Sequence, residues 1–386
     1  MPKEAMAVEM QSVDILDCYS ALEDPRQRTK VIYPLPEILL LVLCGVMAGA
    51  DDFSEITRWG KLHVEFLRRF LPYREGIPSH DTVNAVIAAL DGEAFRDAFV
   101  SWVAGLRAAD QDGEVIAIDG KTSRRSGSPA AGIEPLHLVS AWASEQRLVL
   151  GQEALRGRDN EIVAIDRLLQ WLEITGALVT IDAIGCQRTF AQTIIDKGAD
   201  YLLALKGNQP ALHDDVALWF DDGRETGFAG ARVDFHETVD ADHGRIETRR
   251  HWVAHDIDWL RQRHRWPGLV AIAMIERERE IGAKTTCTRH FYIASLAAPA
   301  ALIAKAARNH WHIENRLHWV LDVVFHDDLS RLRTNHGPQN MAIIRQTALN
   351  LIKGAKGKMS CKTARKAAGW SNDFLDHAIN QIEITT

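Results

Sequence analysis

The chain has 386 residues, of which 46% are hydrophobic and 25% are charged. This is an ordinary globular composition, which excludes collagenous, low-complexity and wholly disordered proteins, and at roughly 100–200 residues per domain it predicts two or three domains. The net charge of −7 excludes a general polycation, so any nucleic-acid site must be a local patch.

The cysteines and the apolar runs indicate the cellular setting. The five cysteines lie far apart without a C-x-x-C pair, which predicts reduced thiols rather than a disulfide framework or a zinc cluster. The longest apolar run, residues 38–50, is shorter than the ~20 residues that span a bilayer, and no signal segment opens the chain. We therefore expect a soluble, cytoplasmic protein with no membrane partner.

Residues 1–110 are predicted to form a helical domain. Apolar periodicity indicates helices over 36–50 and 53–71, and a third helix begins after Ser79 in the segment GIPSHDT. Ser79 is a typical N-cap residue. This third helix is equally compatible with a DNA-reading helix and with an ordinary capped helix of a bundle.

Residues 111–206 change to short β-rich runs. Strands are predicted at 115–119, 137–143 and 147–155, followed by a helix over 160–174. Two more apolar strands, 177–183 and 201–206, flank an amphipathic helix over 188–197. The pattern predicts a mixed α/β sheet.

Residues 207–297 are predicted to form a β-rich insertion. After one helix over 212–220, four alternating segments follow, and we expect no helices between them. Residues 298–355 are predicted to complete the α/β core through a long helix over 300–325. Its apolar face carries four residues at helical spacing: Ile313, Leu317, Val320 and Val324.

The C-terminal region is strongly basic. Between Leu329 and Asn372 there are nine lysines and arginines and no acidic residue. Charge of one sign in an acidic protein favours contact with a polyanion over a merely solvated face. Residues 356–386 are predicted to form a basic tail and helix.

Three carboxylates are the strongest candidates for chemistry. Asp119 and Asp182 each follow an apolar strand, and the carboxyl ends of neighbouring strands meet at one crevice. Buried like charges require compensation, and carboxylate oxygens favour Mg²⁺ or Mn²⁺. Glu314 lies on the long helix, and His318 and Asp322 follow it at four-residue steps. Each acid alone is more easily explained as a strand cap or a surface residue; all three together are not.

These groups suit phosphoryl transfer, in which two metal ions clamp the attacking and leaving oxygens. The chain has no G-x-S-x-G elbow, Walker A loop or G-x-G-x-x-G run, which weakens hydrolase, nucleotidase and dehydrogenase interpretations. Basic and amide side chains near the acids are predicted phosphate contacts: Lys121, Arg124, Arg125, Lys206, Asn208 and Gln209.

Eight motifs in order resemble the H-repeat-associated group of bacterial insertion-sequence DDE transposases. They include YPLPEILLLVLCGVMAGADDF, VIAIDGKTSRRS, VTIDAIGCQ, DYLLALKGNQ, HGRIETRR and HWHIENRLHWVLDVVF, and they cover essentially the whole chain. The resemblance implies an α/β, ribonuclease-H-like catalytic core with a β-rich insertion, preceded by a helical N-terminal domain that binds DNA. It also implies that Asp119, Asp182 and Glu314 form the acidic triad and bind two Mg²⁺ ions, with Mn²⁺ as a substitute.

The sequence departs from the wider pattern of related enzymes around the third acid. Where those enzymes have Tyr, Arg and Lys, this chain has Ala307, His310 and Leu321. We expect three other residues to contact DNA in their place: Arg308, Asn315 and His318. Three further cations complete the predicted DNA contacts: Arg245, Arg331 and Arg333.

The run from Arg158 to Ile165 resembles a Lys-Ser-Asn-Glu motif of the same enzymes. Its Asn160 and Glu161 either line the site or only cap the helix that they begin.

The sequence predicts a transposase that cleaves and rejoins double-stranded DNA at the ends of its element and at a target. The alternative is a domesticated, catalytically silent DNA-binding protein, which intact acids disfavour. Because an element has two ends, we expect a homodimer on DNA. Three insertion tryptophans, Trp252, Trp259 and Trp266, are predicted either to stack on a displaced base or, more often for such residues, to pack in the core.

Overall fold

A computed structural model describes residues 14–107, 113–155, 159–242, 245–282 and 284–380. Arg158 and part of the predicted boundary between residues 110 and 111 lie outside these ranges. No helix in the described ranges is both long enough and apolar enough to cross a membrane.

The N-terminal region is helical, as predicted. Helix α2 is almost wholly buried, because its sequence is apolar on every side, and the other helices surround it. Ser79 Oγ accepts a hydrogen bond from the Thr82 amide at 3.2 Å, which confirms its role as an N-cap. The helices are α1 Ile15–Ser20, α2 Leu35–Met47, α3 Phe53–Leu62, α4 Val64–Leu67, α5 His80–Ala89 and α6 Gly92–Leu106.

A single nine-stranded sheet runs through the rest of the molecule, in the order β3-β2-β1-β4-β5-β9-β8-β7-β6. Its first three strands are antiparallel, and β4 and β5 run parallel to β1. This strand order confirms the mixed α/β, ribonuclease-H-like core. The five core strands are β1 Val115–Ser123, β2 Leu136–Ala143, β3 Leu148–Ala154, β4 Leu178–Ile181 and β5 Asp200–Leu205.

The predicted insertion extends the core sheet. Strand β9 pairs antiparallel with β5, from Leu202 beside Ala294 to Leu205 beside Phe291. The prediction that no helix interrupts the insertion strands is wrong, because α10 lies between β7 and β8. With seven residues and only Leu260 buried, α10 is too short to show a helical period. The elements are β6 Val233–Asp242, β7 Arg245–Ala254, α10 Asp258–His264, β8 Ala271–Ile281 and β9 Lys284–Ala294.

Helices cover both faces of the sheet. One face packs against α11, through Ala300, Ile303 and Ala307. The opposite face packs against α7 and α8, which connect the core strands. After α11 the helix continues through a π-helical turn, Glu314–His318, into α12, and its four predicted apolar residues are all buried. These helices are α7 Glu161–Trp171, α8 Arg188–Asp196, α9 Pro210–Thr226, α11 Ala300–Ile313 and α12 Trp319–Val323.

The C-terminal helices join the N-terminal ones. Helix α13 (Gly337–Ala355) packs against α2, α5 and α6, and α14 (Cys361–Trp370) and α15 (Asn372–Asn380) pack on α13. Asn350 of α13 also bonds to the backbone of Val149 in β3 through both amide atoms. The two ends of the described chain therefore share one core.

Part of the predicted polyanion-binding run faces inward. Arg345 is ion-paired with Asp327 at 2.7 Å. Lys353 lies 3.7 Å above the Trp142 ring, and burial lowers its pKa to about 7. Arg365 is also buried. These three cations serve the fold, whereas the remaining exposed ones stay candidates for phosphate contacts: Arg331, Arg333, Lys358, Lys362 and Lys366.

Arg365 provides a test of this inward role. Its guanidinium donates to the carbonyls of Val46, Val324 and Ala50 and to the Asp51 carboxylate. Arg365→Met should lower the free energy of unfolding by about 3 kcal/mol, because it leaves buried acceptors and a carboxylate without a donor. Lys366→Met, at the exposed neighbouring position, should change it by less than about 0.5 kcal/mol. Equal midpoints of urea unfolding for the two variants would contradict this assignment.

Candidate active site

Two of the predicted acids lie side by side on neighbouring strands. In the parallel pairing of β1 with β4, Ile118 lies beside Ile181, so Asp119 and Asp182 follow at the same level. Strand β1 continues past Asp119 to Ser123, paired with β2 alone. Asp119 therefore marks the end of the parallel pairing and does not end its strand, contrary to the prediction. The register of the two strands therefore places Asp119 and Asp182 side by side.

The loop after Asp182 is braced by two amide side chains. Asp182 Oδ1 accepts a hydrogen bond from the Ile184 amide at 3.0 Å, which starts a tight turn. The side-chain amides of Asn208 and Gln209 donate to the carbonyls of Ala183 (2.6 Å) and Cys186 (2.9 Å). Both amides, predicted to contact phosphate, are thus engaged inside the protein, where they fix the position of Asp182.

The third acid reaches the same place from the long helix. Helix α11 crosses β1, β4 and β5, and Glu314 opens the π-helical turn at its end. Asp119, Asp182 and Glu314 all line one cavity of about 230 Å³. The structure thus brings the three predicted acids together, although they are far apart in the sequence.

His318 connects Glu314 with Asp119. Its side chain is 4% exposed, and Nδ1 lies 3.0 Å from Glu314 Oε2 and 3.6 Å from Asp119 Oδ2. Burial lowers the pKa of this imidazole, so we assign a neutral ring whose Nδ1–H donates to Glu314. Predicted as a DNA contact, His318 faces the acids instead.

Negative charge accumulates in the acid cluster, and Lys206, which lines the same cavity, offsets only part of it. Burial, together with the negative charges of Asp182, Glu161 and Glu314, raises the pKa of Asp119 to about 7, although the Gly120 amide opposes this shift. Burial, and then the charge of Glu161, also raises the pKa of Asp182. A bound cation would relieve both effects.

The donor set fits a hard divalent cation. Carboxylate oxygens of Asp119 and Glu314 lie within 4.8 Å of each other, and Asp182 lines the same cavity. Carboxylate oxygens are the ligands that Mg²⁺ and Mn²⁺ prefer. Of the predicted ligands, all three carboxylates are therefore available at one place.

Glu161 is a fourth carboxylate beside the triad. It is the first residue of α7, whose N-cap is Asn160: the Asn160 side chain accepts from the Val163 amide at 3.2 Å. A Cβ on Gly120 would lie 2.6 Å from Glu161 Oε1 and 2.7 Å from His137 Nε2. Asn160 is thus the cap, and the missing side chain at Gly120 lets Glu161 approach β1 next to Asp119.

A separate ion network binds the acids that follow Glu314. Lys121 Nζ lies 2.8 Å from Asp322 and 2.9 Å from Asp327, and Arg345 lies 2.7 Å from Asp327. Lys121 is 10% exposed, so its charge, predicted to contact DNA, is balanced within the protein. Asp322 belongs to this network, which leaves Glu314 as the helix acid that lines the cavity.

The other predicted DNA contacts lie on the surface around the cavity or away from it. Lys206 lines the cavity, and Arg124 and Arg125 are exposed on the loop after β1. Arg308 pairs with Asp240 at 2.9 Å. Arg333 donates to the Arg125 carbonyl at 3.2 Å, Asn315 donates to the Trp311 carbonyl at 3.1 Å, and Arg331 and Arg245 are exposed.

Sequence reasoning missed four residues that line the cavity: His290, Tyr292, His310 and Trp311. Burial lowers the pKa of His310 to about 4, and its Nδ1 lies 3.2 Å from Thr180 Oγ1. His310 stands one helical turn before Glu314, so helical spacing is a signal for its position. The two β9 residues carry no such signal, because only the pairing with β5 brings them to the acids.

Two family models match this chain. A family model described as "Transposase DDE domain" matches residues 110–351, and one described as "DDE_Tnp_1-associated" matches residues 16–103. The first match spans more than half of the chain and contains all three acids. The chain belongs to the DDE transposase family.

Relatives of this DDE transposase chain match nearly its full length. A protein of Escherichia coli O157:H7 named "Putative transposase YncI" is 37% identical over 96% of this chain and 95% of its own. "H repeat-associated putative transposase YhhI" of Escherichia coli K12 is 35% identical over 95% and 97%. Among solved structures, a piggyBac transposase synaptic complex with hairpin DNA gives a TM-score of 0.44 at 10% identity, covering 96% of this chain and 82% of that one.

The raised pKa of Asp119 predicts a pH-dependent stability without metal. The folded carboxyl titrates near pH 7 and the unfolded one near pH ~3.9, so the free energy of unfolding should fall as pH rises between these values, by at most about 4 kcal/mol. Asp119→Asn removes the titrating carboxyl group and therefore this loss of stability. In EDTA at pH 8 the variant should unfold at higher urea than the wild type, and near pH 4 the two should coincide.

Asp327 provides a control of opposite sign. Although burial opposes its ionisation, Arg345 and Lys121 hold the pKa of Asp327 below its usual range. Asp327→Asn should therefore be less stable than the wild type at pH 8. Equal destabilisation by the two substitutions at pH 8 would show that the charge in the cavity is already compensated.

Proposed function

We propose that this protein is a DNA transposase that cleaves the ends of its element and transfers them to a target by divalent-metal-dependent phosphoryl transfer. The observation that carries the proposal is the single cavity lined by Asp119, Asp182 and Glu314. In this reaction water attacks the phosphodiester and frees a 3′-hydroxyl. That hydroxyl then attacks a target phosphodiester, which joins the strands and releases a new 3′-hydroxyl.

The three acids would hold two Mg²⁺ ions, with Mn²⁺ as a substitute. When bound, the ions would activate the attacking oxygen and stabilise the leaving one. The uncompensated charge at Asp119 and the oxygen donors of the cluster support this assignment. No side-chain nucleophile is then required.

The surrounding residues position the acids. The hydrogen bond from His318 holds the Glu314 carboxylate toward Asp119, and Asn208 and Gln209 fix the loop that follows Asp182. The Lys121 network anchors the end of α12 to β1. Preorganised carboxylates do not have to be gathered during the reaction, which lowers its barrier.

Exposed cations would bind the phosphate backbone of double-stranded DNA. Lys206 lines the cavity itself, and Arg124, Arg125 and Arg331 lie on the exposed surface. Such contacts fix the register of the duplex without reading its sequence.

Replacement of a cavity acid tests the chemistry. Asp182→Asn should slow Mg²⁺-dependent cleavage of DNA that carries the element's ends by about a thousandfold, because it removes a ligand worth several kcal/mol in the transition state. Binding of the same DNA, measured by anisotropy in EDTA, should stay within about twofold, since the phosphate contacts are made elsewhere.

Asp322→Asn is the matched control. Asp322 lies two turns beyond Glu314 on the same helix but pairs with Lys121 at 2.8 Å. This variant should keep cleavage within about tenfold of the wild type, while Glu314→Gln should match Asp182→Asn. An inactive Asp322→Asn together with an active Glu314→Gln would mean that the wrong helix acid has been assigned.

We further propose that two protomers act together, because an element has two ends and one triad supplies a single two-metal site. Light scattering should show two chains on paired end DNA. A cleavage-competent complex that contains one chain and one end would overturn this stoichiometry.

Of the three insertion tryptophans, Trp252 and Trp266 pack against the core, and Trp259 is 38% exposed on α10. Only Trp259 among them therefore offers an exposed ring for stacking on a base.

A further inference from the structure

Helix α13 presents a row of polar side chains to the part of the molecule that holds the three acids. Gln346, Asn350 and Lys353 follow one another at steps of four and three residues, so they lie on one side of the helix. Gln346 and Asn350 are buried, and buried polar groups need hydrogen-bond partners. The partners of this row therefore show what α13 holds in place.

Two members of the row bind the strands beside the acids. Gln346 Nε2 donates to Ser140 Oγ at 3.4 Å, and Ser140 is the β2 residue that is paired with Asp119. Asn350 bonds to the backbone of Val149 in β3 through both of its amide atoms. Helix α13 thus holds β2 and β3, the two antiparallel strands next to β1.

The third member, Lys353, reaches the helix that carries Glu314. Its Nζ donates to the carbonyl of Arg316 at 2.9 Å, and Arg316 is the middle residue of the π-helical turn Glu314–His318. The same ammonium group lies 3.7 Å from the centre of the Trp142 ring, which is fully buried on β2. Lys353 therefore joins α13, β2 and the π turn at one point.

The charges around Lys353 are mostly positive. Within the described residues no carboxylate is ion-paired with it. Burial lowers its pKa to about 7, and Cys361 opposes this shift. Three nearby cations add to the shift: Arg316, Lys356 and Arg147. A methionine would fill the same space without a buried charge, so packing alone does not explain a lysine at this position.

The π turn decides the direction of the Glu314 side chain. A π turn holds one residue more than an α-helical turn, and one residue corresponds to about 100° of rotation about the helix axis. Before the turn, α11 is packed on the sheet, and after it, α12 is fixed by the ion pair of Asp322 with Lys121 at 2.8 Å. Loss of the π geometry would therefore rotate Glu314 relative to the cavity. A bond to the middle of the turn opposes that change.

We propose that Lys353 is a positioning residue of the candidate active site: its bond to the Arg316 carbonyl holds the π turn and thereby keeps Glu314 directed at the cavity. This role for Glu314 rests on the proposed function, whereas the bond itself does not. Because α13 also packs against α2, α5 and α6, Lys353 links the position of the third acid to the N-terminal helices.

Binding of Mn²⁺ tests this role without DNA or catalysis. The full chain is titrated with Mn²⁺ at pH 7, and the free ion is measured by electron paramagnetic resonance. Lys353→Met should raise the dissociation constant of Mn²⁺ about tenfold, as expected for loss of a contact that orients a ligand. Its midpoint of urea unfolding in EDTA should not fall, because methionine replaces a buried charge in a packed site.

Two further variants separate positioning from packing. Lys353→Arg keeps a cation that can donate to the carbonyl and lie over the indole, so it should bind Mn²⁺ within about threefold of the wild type. Lys356→Met is the matched control, because Lys356 ends the same helix and donates to the carbonyls of Gly357 and Met359 at 3.1 Å, outside the π turn. It should bind Mn²⁺ as the wild type does.

Hydrogen exchange reports on the turn itself. Because opening of the turn exposes its amides, those of residues 314–320 should exchange about tenfold faster in Lys353→Met than in the wild type, both without metal. The amides of residues 300–310 in α11 should be unchanged, and so should the turn in Lys356→Met. Lys353→Gln, whose side chain is too short to reach the carbonyl, should repeat the effect, and it replaces Lys353→Met if that variant does not fold.

Three results would overturn the proposal. The first is equal Mn²⁺ affinity of Lys353→Met and the wild type, although Asp119→Asn weakens it. The second is an equal loss of affinity in Lys353→Met and Lys356→Met. The third is a lower urea midpoint of Lys353→Met with unchanged exchange in the turn.

Failure of the proposed function looks different. In that case the wild type would bind Mn²⁺ no more tightly than Asp119→Asn does, while Lys353→Met would still speed exchange in the π turn. The comparison of the wild type with Asp119→Asn therefore tests the metal site, and the comparison with Lys353→Met tests the positioning residue.

Discussion

Repulsion among carboxylates held at one level of a sheet is the constraint on which this structure depends. The register of β1 and β4 fixes Asp119 beside Asp182, and α11 delivers Glu314 to them. Separated charges of one sign would move apart unless rigid elements opposed them. The central parallel strands, the helix that crosses them and the braced loop after Asp182 provide that rigidity.

Two groups of acids in this region have different electrostatic environments. Asp322 and Asp327 are ion-paired with Lys121, and Asp327 also with Arg345, which holds the pKa of Asp327 below its usual range although burial still raises that of Asp322. Asp119, in contrast, keeps a raised pKa near 7. The first group locks the end of the long helix to β1. Within the described residues no lysine or arginine is ion-paired with Asp119, and Lys206, which lines the same cavity, offsets only part of the charge of the acids. Acids that stabilise the fold and acids that line the candidate site can thus lie a few residues apart on one chain.

The sequence was sufficient for the elements whose pattern is local. Apolar runs predicted the core strands, and the spacing from Ile313 to Val324 predicted the buried face of the long helix. The sequence could not show that Lys121 and Arg345 form ion pairs inside the protein, because the residue type is the same for a buried cation and for one that binds phosphate. Nor could it show the pairing of β9 with β5, since strand partners far apart in the chain leave no periodic trace. His290 and Tyr292 were missed for that reason.

The packing of α13 across the N-terminal helices has a consequence for biosynthesis. Asn340 bonds to the carbonyls of Ile87 and Leu90, and Arg365 bonds to that of Val46, so the first helices find their partners only after almost the whole chain has been made. At ~5–20 residues per second, the ribosome leaves that core unfinished for many seconds. Asp327 likewise gains its ion-pair partner only after Arg345 has been synthesised. A prematurely terminated chain would therefore lack both an N-terminal core and a braced third acid, so the acid cluster is completed only when translation is nearly finished.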